Sequence, residues 1–214
     1  MITLPIRRVV VVVIGLVAIV WLVLLGVHSK SGLAMWDQSI WQFSVQHGSA
    51  SAHSLAQRIT SFGVLGVLLP ASLFVGVILW WRVRSILFSL TPWVSVVICE
   101  QVVTYVKRIT AITRPPLESQ VLPIHNPSFP SGHTANTTAL VVSALLTMWI
   151  SQNWTRTSKW VATLCGLVIA VSMGATRVVL NVHWLSDVMA GWCTGAAIAF
   201  AVVGTASVIA TRKV

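Results

Sequence analysis

VVVVVIGLVAIVWLVLLGV, residues 9–27, carries no charged side chain, and the Trp21 indole is its only polar side-chain group. A transmembrane helix needs roughly 20 predominantly apolar residues, so this stretch reads as a membrane span. Arg7 and Arg8 precede it, as the basic residues of a signal peptide would. The run is longer than a usual signal-peptide core, however, and no small-x-small cleavage pattern follows it. It is therefore expected to stay in place as a first span.

Five more segments follow the same logic, at about 61–81, 86–106, 134–152, 159–177 and 187–210. Pro70 and Pro92 fall inside two of them, where neighbouring helices can satisfy the freed carbonyls. Composition agrees. Of 214 residues, 56% are hydrophobic and only 8% charged, and mean hydropathy is +0.87. Soluble domains carry about 25% charged residues, so most of this surface is not built for water. The expected fold is an all-α membrane protein: one domain over residues 1–214, with six transmembrane helices in one bundle.

Net charge is +10. The basic residues stand singly or in pairs between apolar runs, with no basic stripe or stacking platform, which excludes a nucleic-acid partner. Anionic head groups of membrane lipids and a phosphorylated substrate are the expected partners, and nothing in the sequence fixes an oligomeric state. Cys99, Cys165 and Cys193 lie within apolar runs and read as small buried hydrophobes. No CxxC or Cys/His metal spacing occurs, so no metal or other cofactor is expected.

Six spans place both termini on one side. That side holds Arg7, Arg8, Arg82, Arg84, Arg156, Lys159, Arg212 and Lys213; the other holds Lys30, Arg58, Lys107, Arg108, Arg114 and Arg177. Lys107, Arg114 and Arg177 have a chemical reason for their place, given below. Without them the positive-inside rule puts both termini in the cytoplasm of a plasma-membrane protein. Trp80, Trp81, Trp149, Trp154 and Trp160 fall near the cytoplasmic ends, as interfacial anchors should. Residues 28–60 then lie outside. Trp36, Ile40, Phe43 and His47 recur there at helical spacing, which fits either a short interfacial helix or a loop capping the bundle.

Polar chemistry collects at the same outer end. The loop from 107 to 133 opens with Lys107, continues through Arg114-Pro115-Pro116 and closes with Pro130-Ser131-Gly132-His133. The connection between the last two spans carries Arg177, His183 and Asp187. His183 and Asp187, four apart, share a face if helical. Such a carboxylate can hold the Nδ1 proton and leave Nε2 as a nucleophilic lone pair. Alone, the pair reads better as an ordinary surface hydrogen bond. Lys107, Arg114 and Arg177 can neutralise phosphoryl oxygens, or can snorkel to head groups. Ser131 and Gly132 sit where a helix N-terminus makes an anion site, and His133 can serve as a general acid; a helix cap with an interfacial histidine is the simpler reading. Taken together, one face supplies a nucleophile, an acid, an orienting carboxylate and several donors, which is what phosphoryl transfer requires.

These residues, in this order and spacing, resemble the type-2 phosphatidic acid phosphatase family. The carrying motifs are Lys107 and Arg114-Pro115 with six residues between Lys107 and Arg114, then Pro130-Ser131-Gly132-His133, then Arg177, His183 and Asp187 with five and three residues between them. The third motif of the family usually begins Ser-Arg, where this chain has Thr176-Arg177. The resemblance implies a metal-independent lipid phosphatase with its active site at the extracytoplasmic end of the bundle. His183 would attack phosphorus to form a phosphohistidine, His133 would protonate the leaving oxygen and then activate water, and Asp187 would orient His183. Lys107, Arg114, Ser131, Gly132 and Arg177 would hold the phosphate. Size and span count are similar to bacterial phosphatidylglycerophosphate phosphatases and undecaprenyl diphosphate phosphatases. The implied substrate is a lipid phosphate monoester or diphosphate: undecaprenyl diphosphate, phosphatidylglycerophosphate or phosphatidic acid.

Three alternatives stay open: a phosphotransferase of the same family, an intramembrane serine hydrolase using Ser131, and a non-enzymatic transporter or scaffold. Glu100, seven residues before Lys107, is a costly intramembrane carboxyl that can pair with a motif cation or stay protonated. His28, His47, His53 and His125 read as loop histidines, with His125 and Glu118 near enough in sequence to meet a head group.

Overall fold

Long apolar runs without strand-like alternation fold as helices throughout the computed structural model, which describes residues 4–29 and 32–212. Lys30 and Lys213, counted in the charge comparison, lie outside the described residues. The elements are α1 (Ile6–His28), α2 (Gly32–His47), α3 (Ala50–Thr60), α4 (Leu65–Val83), α5 (Ile86–Ser89), α6 (Thr91–Thr110), α7 (Gly132–Ile150), α8 (Arg156–Val179) and α9 (Leu185–Thr211). No strand occurs among the described residues.

Four helices, α1, α4, α8 and α9, are long and apolar enough to cross a membrane. The segments expected as third and fourth spans form α6 and α7, of comparable length but more polar. Their position explains this. α7 packs against α4, α6, α8 and α9, so its polar and small side chains face other helices rather than lipid, while α6 packs against α4, α7 and α9 and keeps Ile98, Val102 and Ile109 exposed on its outer face. The polar side chains of α7 include Thr134, Asn136, Thr137, Thr138, Ser143 and Thr147, all buried. Thr147 meets Thr91 of α6 at 2.9 Å, hydroxyl to hydroxyl.

The third expected span begins too early in sequence. Residues 86–89 form the separate short helix α5, and α6 starts at Thr91. Pro92 lies in the first turn of α6, where a missing N–H breaks no helical bond, so it initiates the helix rather than interrupting it. The 28–60 region is more ordered than either sequence expectation: it forms two helices, and it also caps the bundle. Asp37, Trp41 and Ser44 of α2 turn toward the bundle, whereas Met35, Trp36 and Phe43 are exposed. Ser49 starts α3 by accepting the Ala52 N–H.

α7 and α9 approach closely because glycine removes the side chain between them. A Cβ on Gly191 would come within 2.9 Å of the Ser131 carbonyl, and one on Gly195 within 2.9 Å of the Ala139 amide. This contact brings the N-terminal ends of both helices side by side. Leu4 meets the last turns of α9 at the opposite end of the bundle, where its N–H donates to Ser207 Oγ at 3.3 Å. Aromatic and basic residues gather at that same end: Arg82 lies 5.1 Å from the Trp154 ring centre, and Lys159 lies 5.7 Å from that of Trp149. Of the cysteines, Cys99 is buried and Cys193 half-buried, but Cys165 is exposed on the outer side of α8, against the expectation of three buried thiols.

Candidate active site

Four local structures aim the polar residues at one place. α6 ends with Lys107 in its last turn, and Ala111, at φ 48°, turns the chain into the 111–131 loop. Fully buried Phe129 anchors the end of that loop against Val23 and Ala190. Ser131 then begins α7, with Gly132 and His133 in its first turn. α8 ends around Arg177, and a tight turn with Asn181 at φ 57° leads to α9. Leu180 and Val182 pin this turn by packing on Ala56 of α3.

The result is a cavity of about 490 Å³, lined by Lys107, Arg114, Gly132, His133, Arg177 and His183 among others. Six of the eight residues singled out in the sequence therefore line one cavity. The other two stand behind it. Ser131 is fully buried, donates its N–H to the Asp187 carbonyl at 3.0 Å, and accepts the Thr134 hydroxyl at 3.0 Å. Asp187 is fully buried behind His183.

His183 Nδ1 lies 3.1 Å from Asp187 Oδ2. The two are not on one helical face, as the spacing suggested. His183 belongs to the turn, while Asp187 is the third residue of α9 and reaches back over the helix start. Asp187 Oδ2 also accepts the Trp184 N–H at 2.9 Å and the Ser128 hydroxyl. With N–H and O–H donors on Oδ2, the carboxylate assigns the imidazole proton to Nδ1. Nε2 is left as a lone pair, and it sits 3.0 Å from Arg114 Nη1. Burial, followed by the nearby charges of Arg114, Arg177 and Lys107, pushes the His183 pKa well below the usual imidazole range. The ring is thus neutral at neutral pH.

Backbone carbonyls hold Lys107 and Arg114, and a side-chain hydroxyl holds Arg177. Lys107 Nζ donates to the carbonyls of Pro127 at 2.6 Å and Ser128 at 2.8 Å. Arg114 donates from Nε to the Asn126 carbonyl at 2.8 Å, from Nη2 to Asn126 Oδ1 at 2.7 Å, and from Nη1 to the Val182 carbonyl. Burial lowers the Arg114 pKa to about 10, and the Asp187 charge opposes that shift. Arg177, 2% exposed, donates from Nη1 to Thr60 Oγ1 at 2.6 Å. Facing them, the first turn of α7 presents backbone N–H groups, which favour an anion. Chemically, the cavity can hold a phosphoryl group beside a neutral imidazole, His133 and three cations.

Several participants were not singled out in the sequence. Ser128 bonds Asp187, Asn126 fixes Arg114, and Thr60 fixes Arg177. Only Ser128 and Asn126 left a trace, as polar residues inside the motif loop. Glu100 lines the cavity but pairs with neutral groups: it accepts from Asn136 Nδ2 at 2.6 Å and Thr104 Oγ1 at 3.3 Å. His125 and Glu118 do not line the cavity. His28 ends α1, His47 stacks on Phe43 at 4.3 Å between ring centres, and His53 lies on α3.

Comparison with known proteins places these features. A family model described as the PAP2 superfamily matches residues 64–208. An undecaprenyl-diphosphatase of Sulfolobus acidocaldarius is 38% identical over 73 residues, which cover 34% of this chain and 31% of that protein. The chain thus matches about a third of the length of that curated relative. The crystal structure of a transmembrane PAP2-type phosphatidylglycerolphosphate phosphatase from Bacillus subtilis superposes with a TM-score of 0.81. It is 21% identical, and the match covers 90% of this chain and 94% of that one. At that identity the likeness speaks for the fold.

Proposed function

The chain belongs to the PAP2 superfamily, and from that premise we propose that it is an integral membrane phosphatase acting on a lipid phosphate monoester or diphosphate. One observation carries the proposal. His183 is tied through Nδ1 to a buried carboxylate while its Nε2 faces a cavity holding Lys107, Arg114 and Arg177. A lone pair so placed, among fixed cations, suits in-line attack on phosphorus.

In this reaction His183 Nε2 bonds to phosphorus as the bond to the lipid oxygen breaks, and His133 delivers a proton to that oxygen. Water, losing a proton to His133, then attacks the phosphohistidine and releases inorganic phosphate. Lys107, Arg177, Arg114 and the N–H groups of Gly132 and His133 stabilise the equatorial oxygens. Ser131 contributes from behind, by joining the start of α7 to α9 through its N–H bond to the Asp187 carbonyl. α6 and α7 complete six spans in one domain, with the termini cytoplasmic and the site outside. An outward site suits a lipid carrier dephosphorylated on that face.

Ser131 does not suit the serine-hydrolase alternative, since its hydroxyl bonds Thr134 and no histidine. The test is phosphate release by purified protein from a panel of lipid phosphates and diphosphates. Activity is expected to be lost in His183→Ala, to be inhibited by vanadate and to survive EDTA. Full activity in His183→Ala would end the proposal. Transfer of the phosphoryl group to an added lipid alcohol instead of water would favour the phosphotransferase alternative.

A further inference from the structure

The first turn of α9 carries the Asp187 carboxylate, yet its N-cap residue, Trp184, has no side-chain oxygen with which to cap it. The amide of Ser186, second residue of the helix, would be an orphan donor. Asp37 meets it from α2. Its Oδ1 accepts the Ser186 N–H at 2.9 Å, and its Oδ2 accepts the Ser186 hydroxyl at 2.6 Å. Asp37 is 5% exposed, and a carboxylate is costly to bury without such partners. Burial pushes its pKa up while the Ser186 bonds pull it down. An anion at a helix N-terminus is also favoured by the helix dipole.

The rest of the inner face of α2 touches the same machinery. The Trp41 ring meets the Trp184 ring edge-on at 6.2 Å between centres, and Trp41 Nε1 donates to Ser119 Oγ at 3.1 Å. Ser44 Oγ donates to the Val178 carbonyl at 3.3 Å, next to Arg177. So α2 contacts the residue after His183, the residue after Arg177 and the motif loop. It precedes the region matched by the family model, residues 64–208.

We infer that Asp37 is a positioning residue: by capping α9 in trans through Ser186, it fixes the helix turn that aims Asp187 at His183. This rests on the proposed phosphatase reading. Misplacing a catalytic group by about 1 Å costs on the order of 10²-fold, and the Asp187–His183 bond spans a helix start that has no other side chain from a distant segment capping it among the described residues.

The test compares Asp37→Ala, Asp37→Asn, Ser186→Ala and the Asp37→Ala/Ser186→Ala double variant, with His183→Ala as reference, in full-length protein. Asparagine can still accept the Ser186 N–H and can donate to its hydroxyl. Asp37→Ala is expected to lower kcat by about 10- to 100-fold with KM kept within about threefold. Asp37→Asn should recover most of that loss, and the double variant should be no worse than Asp37→Ala. Three results would overturn the inference: an unchanged kcat in folded Asp37→Ala, additive losses in the double variant, or equal losses in Asp37→Asn and Asp37→Ala. If Asp37→Ala does not fold, Asp37→Asn near wild-type kcat with a lowered kcat in Ser186→Ala supports the inference, and an unaltered Ser186→Ala opposes it. Full activity in His183→Ala would instead remove the phosphatase reading itself.

Discussion

Gly63 gives a sharp test of how His133 is held. It is buried in the short turn between α3 and α4 and lines the cavity. A Cβ added there would lie 2.8 Å from His133 Cδ2 and 2.6 Å from Met173 Sδ. Ordinary carbon contacts begin near 3.4 Å, so the imidazole must retreat by about half an ångström or more. A displacement of that size at the proposed proton donor is expected to cost about 10- to 100-fold in kcat. Crowding adds a separate loss of roughly 1–3 kcal/mol in stability. Gly63→Ala is therefore expected to lower kcat with little change in KM, measured as phosphate release in detergent micelles beside a thermal melt. Met173→Ala on the same background relieves the sulfur contact only. It should restore melting temperature without restoring turnover. Wild-type turnover in Gly63→Ala, or full recovery in the double variant, would show that Gly63 does not set the ring's place.

The remaining predictions can be checked on the same preparation. Asp187→Asn leaves His183 without its carboxylate partner at 3.1 Å and should lower kcat by about 10²-fold or more, read as phosphate release at saturating substrate. Arg114→Gln removes a charge that holds the His183 pKa down. The folded imidazole then protonates at higher pH, so the acidic limb of kcat/KM must move upward; no movement, or a downward one, contradicts the assignment. Ser128→Ala removes one donor from Asp187 Oδ2 and should cost about 1.5–3 kcal/mol of stability, read from denaturant or thermal melts. Gly195→Val drives a side chain into the α7 backbone beside the Ala139 amide. It should lower the melting temperature more than Gly15→Val, where an added Cβ meets nothing within 4 Å.

The parts of the site legible in sequence are those whose chemistry is local. Lys107, Arg114, His133, Arg177, His183 and Asp187 announce themselves as polar groups among apolar runs, and their spacing is set by helix ends. The partners that hold them were invisible because they come from far along the chain. Thr60 reaches Arg177 across 117 positions, and Asp37 reaches Ser186 across 149. A hydroxyl or a glycine such as Gly63 gives no sign of its neighbour until the helices pack. For the fold, hydropathy located α1, α4, α8 and α9 well. It located the start of α6 less well, because the apolar run continues back through α5 and because Pro92 reads alike as a helix breaker and as a helix start. α2 was ambiguous since one side carries Trp36 and Phe43 and the other carries Asp37.

The way the cations are held gives them unequal parts. Every N–H direction of Arg114 already has an acceptor: Asn126 twice, Pro127, Val182 and the Nε2 of His183. Lys107 commits two donors to carbonyls and keeps a third. Arg177 commits one nitrogen to Thr60. An arriving phosphate thus finds spare donors on Arg177 and Lys107, but at Arg114 it must displace a protein acceptor. Its binding there is an exchange of partners, so the net gain is small and the reverse exchange is easy. In the proposed reaction such a site grips the phosphoryl group through two hands and steadies it with a third that lets go readily, which favours departure of inorganic phosphate.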